Sequence, residues 1–287
     1  MADGPVSEPA SAKVNVFLRV MGRRPDGYHD VETLIQPVTL ADGVQVRRSE
    51  GLSLAISGDR VREVPPGEEN LVLRAARALS AVCGEPAGAD ILLVKRIPVA
   101  AGLGGGSADA AAALRALDRL WSCGLGAARL AQVGLELGSD VPALIHGGPA
   151  LVRGRGEQVE RLATPRTWWV LVPSDLGVAA GEAYAWWDEA GGVTGPDPAP
   201  SLHALGSGDP AALGGVLFND LEPGVVANHP QAGEARERLL SAGALGSVMC
   251  GSGPTMAGLA RDGAHADEIA AAVGGLAVSS MSGPPPS

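Results

Sequence analysis

Between Lys13 and Val20 the chain alternates. Val14, Val16, Leu18 and Val20 fall on one side, and Lys13, Asn15, Phe17 and Arg19 on the other. A two-residue period is that of a strand, here one presenting Lys13 and Asn15 side by side. The turn-rich stretch 22–30 predicts a loop, and 42–58 predicts a hairpin. Apolar residues then recur at helical spacing over 70–84, where Asn70 is a fitting N-cap. Residues 89–100 predict a strand ending at Lys95-Arg96. A glycine loop leads into a helix over 107–121, followed by helices over 128–138 and 139–148. A fresh strand is expected at 167–174 and a proline- and glycine-rich excursion at 191–210. Helix 231–243, strands 245–253 and 255–260 and helix 264–275 complete the pattern. The class is α+β in two domains. The expected limits are 11–165 and 166–280, between disordered ends at 1–10 and 281–287.

Composition sharpens this outline. Only nine of the 287 residues are aromatic against 41 glycines, so helices must pack closely through alanine. A net charge of −10 argues against nucleic acid or an anionic membrane as partner. It leaves room for a small anionic ligand held by local amides and cations. Cys83, Cys123 and Cys250 lack metal-like spacing and read as buried thiols in a reducing compartment. The first ten residues do not resemble a signal peptide, and no apolar run approaches a membrane span. A soluble, cytoplasmic protein is expected.

The strongest local signal is the stretch Pro98, Val99, Ala100, Ala101, Gly102, Leu103, Gly104, Gly105, Gly106, Ser107, Ala108. Bare backbone amides at the start of a long helix form a ready anion site, and a hydroxyl there can reach a metal-bound phosphate. It is not a Walker A loop, because Ser107 follows Gly106 with no lysine between them. Nor is it a dinucleotide fingerprint, which excludes a nicotinamide oxidoreductase. The second glycine cluster, around Gly251 and Gly253, fits a tight turn as well as a ligand-lining loop.

Three stretches together resemble the GHMP kinases: 12–38 with its Asp-Gly-Tyr-His run, 98–114 and 248–259. Stretches 70–79, 137–157 and 218–223 extend the resemblance in the family's order. It implies two α/β-type domains with the active site in the inter-domain cleft, and ATP-dependent transfer of phosphate to an alcohol. The Asp-Gly-Tyr-His run points to the branch of isoprenoid-precursor synthesis whose acceptor is a cytidine-diphosphate-linked methylerythritol. A homoserine or mevalonate kinase, or a non-catalytic nucleotide-binding relative, are the alternatives.

By this resemblance Lys13 and Asp140 flank the reacting hydroxyl. Lysine suits Lys13, in a chain with twenty arginines and two lysines, because a compact ammonium fits between carboxylate, hydroxyl and phosphate. Asp140 is also well placed to cap a helix. Asn15 would contact the acceptor. Tyr28 and Tyr184 would stack on the two faces of the base, and His29 would bond its edge, although Tyr184 also fits a packed aromatic helix. The Ser-Thr pair often seen upstream of that helix is Ala179-Ala180 here. Asn70 and Lys95 correspond to positions near the adenine, with a helix cap and a snorkelling strand-end lysine as their alternatives. Ser107 would bridge the phosphates and Mg²⁺, and Ala108 stands where some relatives have a second hydroxyl.

Overall fold

The computed structural model describes residues 4–60, 64–84, 88–174 and 176–281. The chain opens with β1 (Val6–Arg23), β2 (His29–Arg48), β3 (Leu52–Gly58), α1 (Leu71–Cys83), β4 (Ala89–Lys95) and α2 (Gly105–Trp121). It continues with α3 (Gly126–Leu135), α4 (Val141–His146), β5 (Ala150–Gly154), β6 (Gln158–Arg161), β7 (Trp168–Val172) and α5 (Ala180–Glu189). Next come α6 (Ala199–Ser207), α7 (Pro210–Gly214), β8 (Phe218–Asn219), α8 (Glu222–Asn228) and α9 (Pro230–Ser241). The last elements are β9 (Gly246–Met249), β10 (Met256–Ala260), α10 (Gly263–Val273) and β11 (Leu276–Ser279). Two compact units interleave along the sequence. Met1–Ala12, Leu40–Val99 and Gly104–Gly147 form one, and Lys13–Thr39, Ala100–Leu103 and Gly148–Ser287 form the other.

In the first unit the distal half of β2 pairs antiparallel with β4, from Gly43↔Val94 to Arg48↔Ala89. On its other edge β4 pairs parallel with β3, from Leu52↔Ala89 to Gly58↔Lys95. The hairpin expected over 42–58 is therefore not formed, because β4 lies between its two arms. Pairing between consecutive strands is a tendency, and here β4 serves the backbone groups of both. Helices α1 to α4 share a core with this sheet in which Ala108, Ala110, Ala111, Ala112, Ala113 and Ala116 of α2 are buried, the close alanine packing that the composition calls for.

Two further expectations change in this unit. Val6–Ala10 belong to β1, and Glu8 holds the Arg115 guanidinium at 2.9 Å and also pairs with Arg119, so these residues are ordered by charge pairing. Met1–Asp3 and residues 282–287 lie outside the described residues. Cys83 and Cys123 are not free thiols but a disulfide, with Cα atoms 5.6 Å apart. The packing of α1 against α2 brings their ends within bridging range, which a spacing of 40 residues did not suggest. Cys250 is free and buried, and loss of solvation pushes its thiol up to about 12.

The second unit is built on an antiparallel sheet of order β11-β7-β10-β9. Trp169, Val170 and Leu171 of β7 are fully buried there. The proximal half of β2 pairs with β5, which forms a hairpin with β6, while β1 takes the short β8 in parallel at Phe17↔Phe218 and Leu18↔Asn219. The excursion expected at 191–210 contains α6, whose Ser201, Ala204 and Leu205 are buried. Its flanking prolines and glycines concealed a nine-residue helix. No helix among the described residues is long and apolar enough to cross a membrane.

Candidate active site

β1 does place Lys13 and Asn15 together, but not toward water. Lys13 is 3% exposed and Asn15 2%. Lys13 Nζ donates to Asn15 Oδ1 at 2.7 Å and to the Gly102 carbonyl at 2.8 Å. Asn15 Nδ2 in turn donates to Thr33 Oγ1 at 2.9 Å, and Thr33 donates to the Phe17 carbonyl at 2.7 Å. The amide of Lys13 donates to the Leu103 carbonyl at 3.0 Å. Buried polar groups must be bonded, and this chain of bonds fixes where the ammonium points.

The start of the glycine loop closes the same cluster. Ala100 is held at φ 53, a left-handed conformation that an L side chain rarely adopts. Gly102, at φ 76, lies so close to the Cys250 carbonyl that a Cβ would collide with it. The turn at Cys250–Gly253 therefore packs against the loop. A Cβ on Gly251 would sit 2.5 Å from Lys13 Nζ and 2.8 Å from the Gly102 carbonyl. Asn219 holds this turn: its Nδ2 donates to the carbonyls of Met249 and Gly251, each at 2.8 Å, and its Oδ1 accepts from Leu221 N at 2.9 Å. The second glycine cluster is thus both a tight turn and the floor beneath the lysine.

Elsewhere in this unit His29, Tyr184 and Asp188 meet. The imidazole of His29 stacks on Tyr184, centroids 4.7 Å apart and planes 16° apart, and meets Trp187 edge-on at 5.9 Å. Its Nε2 lies 3.0 Å from Asp188 Oδ1. One face of Tyr184 is thus covered by His29, so a base would have to use the other. Tyr28 is 51% exposed, with the Arg155 guanidinium 4.6 Å above its ring. The helix α5 that carries Tyr184 and Asp188 begins without a capping hydroxyl, because Ala179 stands there. Only the Glu182 carboxylate returns to the Ala179 amide, at 3.0 Å.

In the first unit the loop enters α2 at Gly105, with Gly104 in the left-handed region at φ 70. Ser107 is the third helical residue, one half-turn later than the pattern predicts. The first bond of α2 runs from the Ala108 amide to the Gly104 carbonyl, leaving the amides of Gly105, Gly106 and Ser107 at the open end of the dipole. A Cβ on Gly138 would come 3.3 Å from Ser107 Oγ, so the half-buried hydroxyl lies beside the turn that leads to Asp140. Asp140 occupies the N-cap position of α4, yet its carboxylate makes no capping bond. Asn70 does cap, accepting from Val72 N at 2.9 Å and donating to the Pro65 carbonyl at 2.8 Å.

Lys95 does not snorkel. It is 2% exposed and clamped between Asp42 and Asp109, the latter at 2.7 Å. Asp42 also accepts from the amides of Arg96 and Ile97 at 2.5 and 2.9 Å, tying down the strand end where the loop begins. Burial raises the Asp109 carboxyl to about 7, against the pull of Lys95 and with the push of Asp42. The partners Asp42, Asp109, Asp188 and Asn219 escaped the sequence reading. Asp109 was visible as a lone carboxylate in an alanine run, and Asp188 as the residue four after Tyr184, on the same helix face.

Which residues could hold a nucleotide and its metal? The open amides at the head of α2, the bare loop and the Ser107 hydroxyl suit a polyphosphate. Among the described residues no three acidic, histidine or cysteine side chains gather as a metal site. That donor set suits a Mg²⁺ held mainly by phosphates and water.

The model of the GHMP kinases N terminal domain matches residues 70–148, and that of the GHMP kinases C terminal domain matches 201–277. The chain is 47% identical, over 91% of each chain, to the 4-diphosphocytidyl-2-C-methyl-D-erythritol kinase of Pelotomaculum thermopropionicum. To the enzyme of that name from Salinispora arenicola it is 43% identical, over 96% of this chain and 90% of the relative. A crystal structure of 4-(cytidine 5'-diphospho)-2C-methyl-D-erythritol kinase superposes with a TM-score of 0.80 at 36% identity, covering 97% of this chain and all 100% of that one. The homoserine kinase of Cytophaga hutchinsonii, 21% identical over 99% of this chain and 96% of its own, shares the fold with a TM-score of 0.74.

Proposed function

We propose a specific reaction for this chain, which belongs to the GHMP kinases: transfer of the ATP γ-phosphoryl to the 2-hydroxyl of 4-diphosphocytidyl-2-C-methyl-D-erythritol. The step belongs to the non-mevalonate route to isoprenoid precursors. The observation that carries the reading is the 47% identity, spread over 91% of both chains, with a relative of that name. The Asp-Gly-Tyr-His run at 26–29 supports the cytidylyl branch over the homoserine and mevalonate branches.

Phosphoryl transfer asks a protein for positioning and charge stabilisation more than for covalent chemistry. The loop from Pro98 to Ala108 and the amides at the head of α2 hold the triphosphate, with Asn70 and Lys95 bounding the adenine end. Ser107 Oγ would help hold a Mg²⁺ on the phosphates, where the ion would supply charge neutralisation. Lys13, its ammonium set by Asn15 and the Gly102 carbonyl, meets the charge that develops on the transferring group. Asp140, whose carboxylate is not used as a cap, accepts the proton of the attacking hydroxyl. The P–O bond to ADP breaks as the new one forms, and the alcohol's proton passes to the carboxylate. Asn15 contacts the acceptor. Tyr28, Tyr184 and His29 receive the cytosine.

The test is transfer from ATP with Mg²⁺ to the cytidylyl substrate, beside homoserine and mevalonate. Transfer to either of those and none to the cytidylyl alcohol sinks the assignment. Asp140→Asn is expected to lower kcat by about 10²-fold or more while leaving ATP affinity, read by calorimetry, nearly unchanged. Unaltered turnover removes Asp140 from the role of base.

A further inference from the structure

The head of α2 rests on the end of β4. A Cβ on Gly105 would stand 3.1 Å from Ile97 Cγ2 and 3.5 Å from Lys95 Nζ, so the bare glycine is what lets helix and strand end lie this close. Lys95 reaches past Gly105 to Asp109, bonded at 2.7 Å. Asp109 is four residues on and so shares that face of the helix. The ammonium also donates to Asp42 Oδ2, while Asp42 Oδ1 accepts from the amides of Arg96 and Ile97 at 2.5 and 2.9 Å. One unbroken run of bonds therefore joins α2 to the two residues from which the glycine loop departs. All three side chains are buried. Asp109 brings a single oxygen to the task, for its Oδ1 is buried with no hydrogen-bond partner.

We propose that Asp109 is a positioning residue for the polyphosphate: through Lys95 and Asp42 it locks the head of α2 to Arg96 and Ile97, and so sets where the free amides of Gly105, Gly106 and Ser107 stand. The proposal rests on the reading of those amides as a phosphate cradle and adds the group that holds them in place. Asp109 bonds Lys95 and acts through it. Amides bind an anion well when they converge before it arrives, because ordering them afterwards costs free energy. Without the Asp109 carboxylate, helix and strand end keep their apolar contact but lose the directional tie. Lys95 stays on Asp42, so the adenine end is left as it was. Phosphate binding weakens, whereas a bare nucleoside, which makes no use of the amides, is held as before.

The test compares the dissociation constants of MgADP and adenosine, measured by calorimetry on the full chain, so that the result does not depend on the acceptor. In the parent protein the diphosphate tightens binding over the nucleoside. Asp109→Ala places a good helix former in an alanine-rich helix. It is expected to reduce the gain from the diphosphate about tenfold, the weight of one hydrogen bond to a charged group, with adenosine affinity unchanged. Asp109→Asn keeps an oxygen for Lys95 and is expected to restore the parent's gain, which separates a bond that positions from loss of charge or of fold. An unchanged gain in Asp109→Ala, or an equal weakening of MgADP and adenosine, overturns the proposal and leaves the phosphate cradle standing. So does an Asp109→Asn variant as weak as Asp109→Ala. A parent protein that binds MgADP no more tightly than adenosine overturns both the proposal and the reading of the loop.

Discussion

The two lysines of this chain, one in each unit, are both buried, and their neighbours differ in kind. Lys95 is gripped by the carboxylates of Asp42 and Asp109. Lys13 is aimed by an amide oxygen of Asn15 and the backbone carbonyl of Gly102. Two carboxylates balance an ammonium where it stands and make it a rivet, here one that also ties Asp42 to the amides of Arg96 and Ile97. At Lys13 an amide oxygen and a backbone carbonyl fix where the ammonium stands. The same residue type, equally buried, is a brace at Lys95 and, under the proposed function, a reagent at Lys13.

Substitutions break this contrast if it is false. Lys95→Met leaves Asp42 and Asp109 buried without their cation and is expected to cost about 3–5 kcal/mol of stability, read by urea denaturation. A loss below about 1 kcal/mol would deny the rivet. Lys13→Ala is expected to lower kcat by about 10²–10³-fold, with a smaller stability cost than Lys95→Met, about 1–3 kcal/mol, from the Asn15 and Gly102 oxygens it leaves unpaired. Lys13→Arg should recover little, because the broad guanidinium does not fit the point where Asn15 and Gly102 converge. A Lys13→Ala variant that unfolds early and turns over normally would reverse the two roles.

Gly251→Ala sharpens the comparison by moving the Lys13 ammonium and leaving Lys95 alone. The added methyl would stand 2.5 Å from Lys13 Nζ at a residue with φ 54. A stability cost of about 1 kcal/mol follows from the backbone, and kcat is expected to fall about tenfold while the KM for ATP holds. The smallest effect is chemical and not energetic. Denatured without reductant, the protein should present one thiol to a thiol reagent, Cys250, and after reduction three. In the folded state Cys250, its thiol pushed up to about 12 by burial, should not react near neutral pH. Three reactive thiols without reductant would remove the Cys83–Cys123 bridge.

Much of this was legible from local pattern. Alternation from Lys13 to Val20 placed Lys13 and Asn15 on one face, and the helix over 70–84 came with its Asn70 cap. The four glycines before Ser107 marked the loop, because no other residue type leaves amides so bare at a helix start. Illegible were the hairpin that β4 splits, the helix α6 inside a proline-rich stretch, and the disulfide. Each of these depends on what lies beside a segment and not on the segment itself.

The same division holds for the chemistry. The order of residue types determined which side chains share a strand face, where the backbone must be glycine, and which family the chain joins, since these follow from periods of two and 3.6 residues and from motifs a few residues long. Tertiary structure alone decided what those side chains meet. Lys13 and Gly102 are 89 residues apart, Lys95 and Asp42 53, and His29 and Asp188 159. Periodicity chooses the face a group looks out from. Only the packed fold brings a carboxylate or a carbonyl to within 3 Å of it, because those oxygens come from segments tens of residues away along the chain.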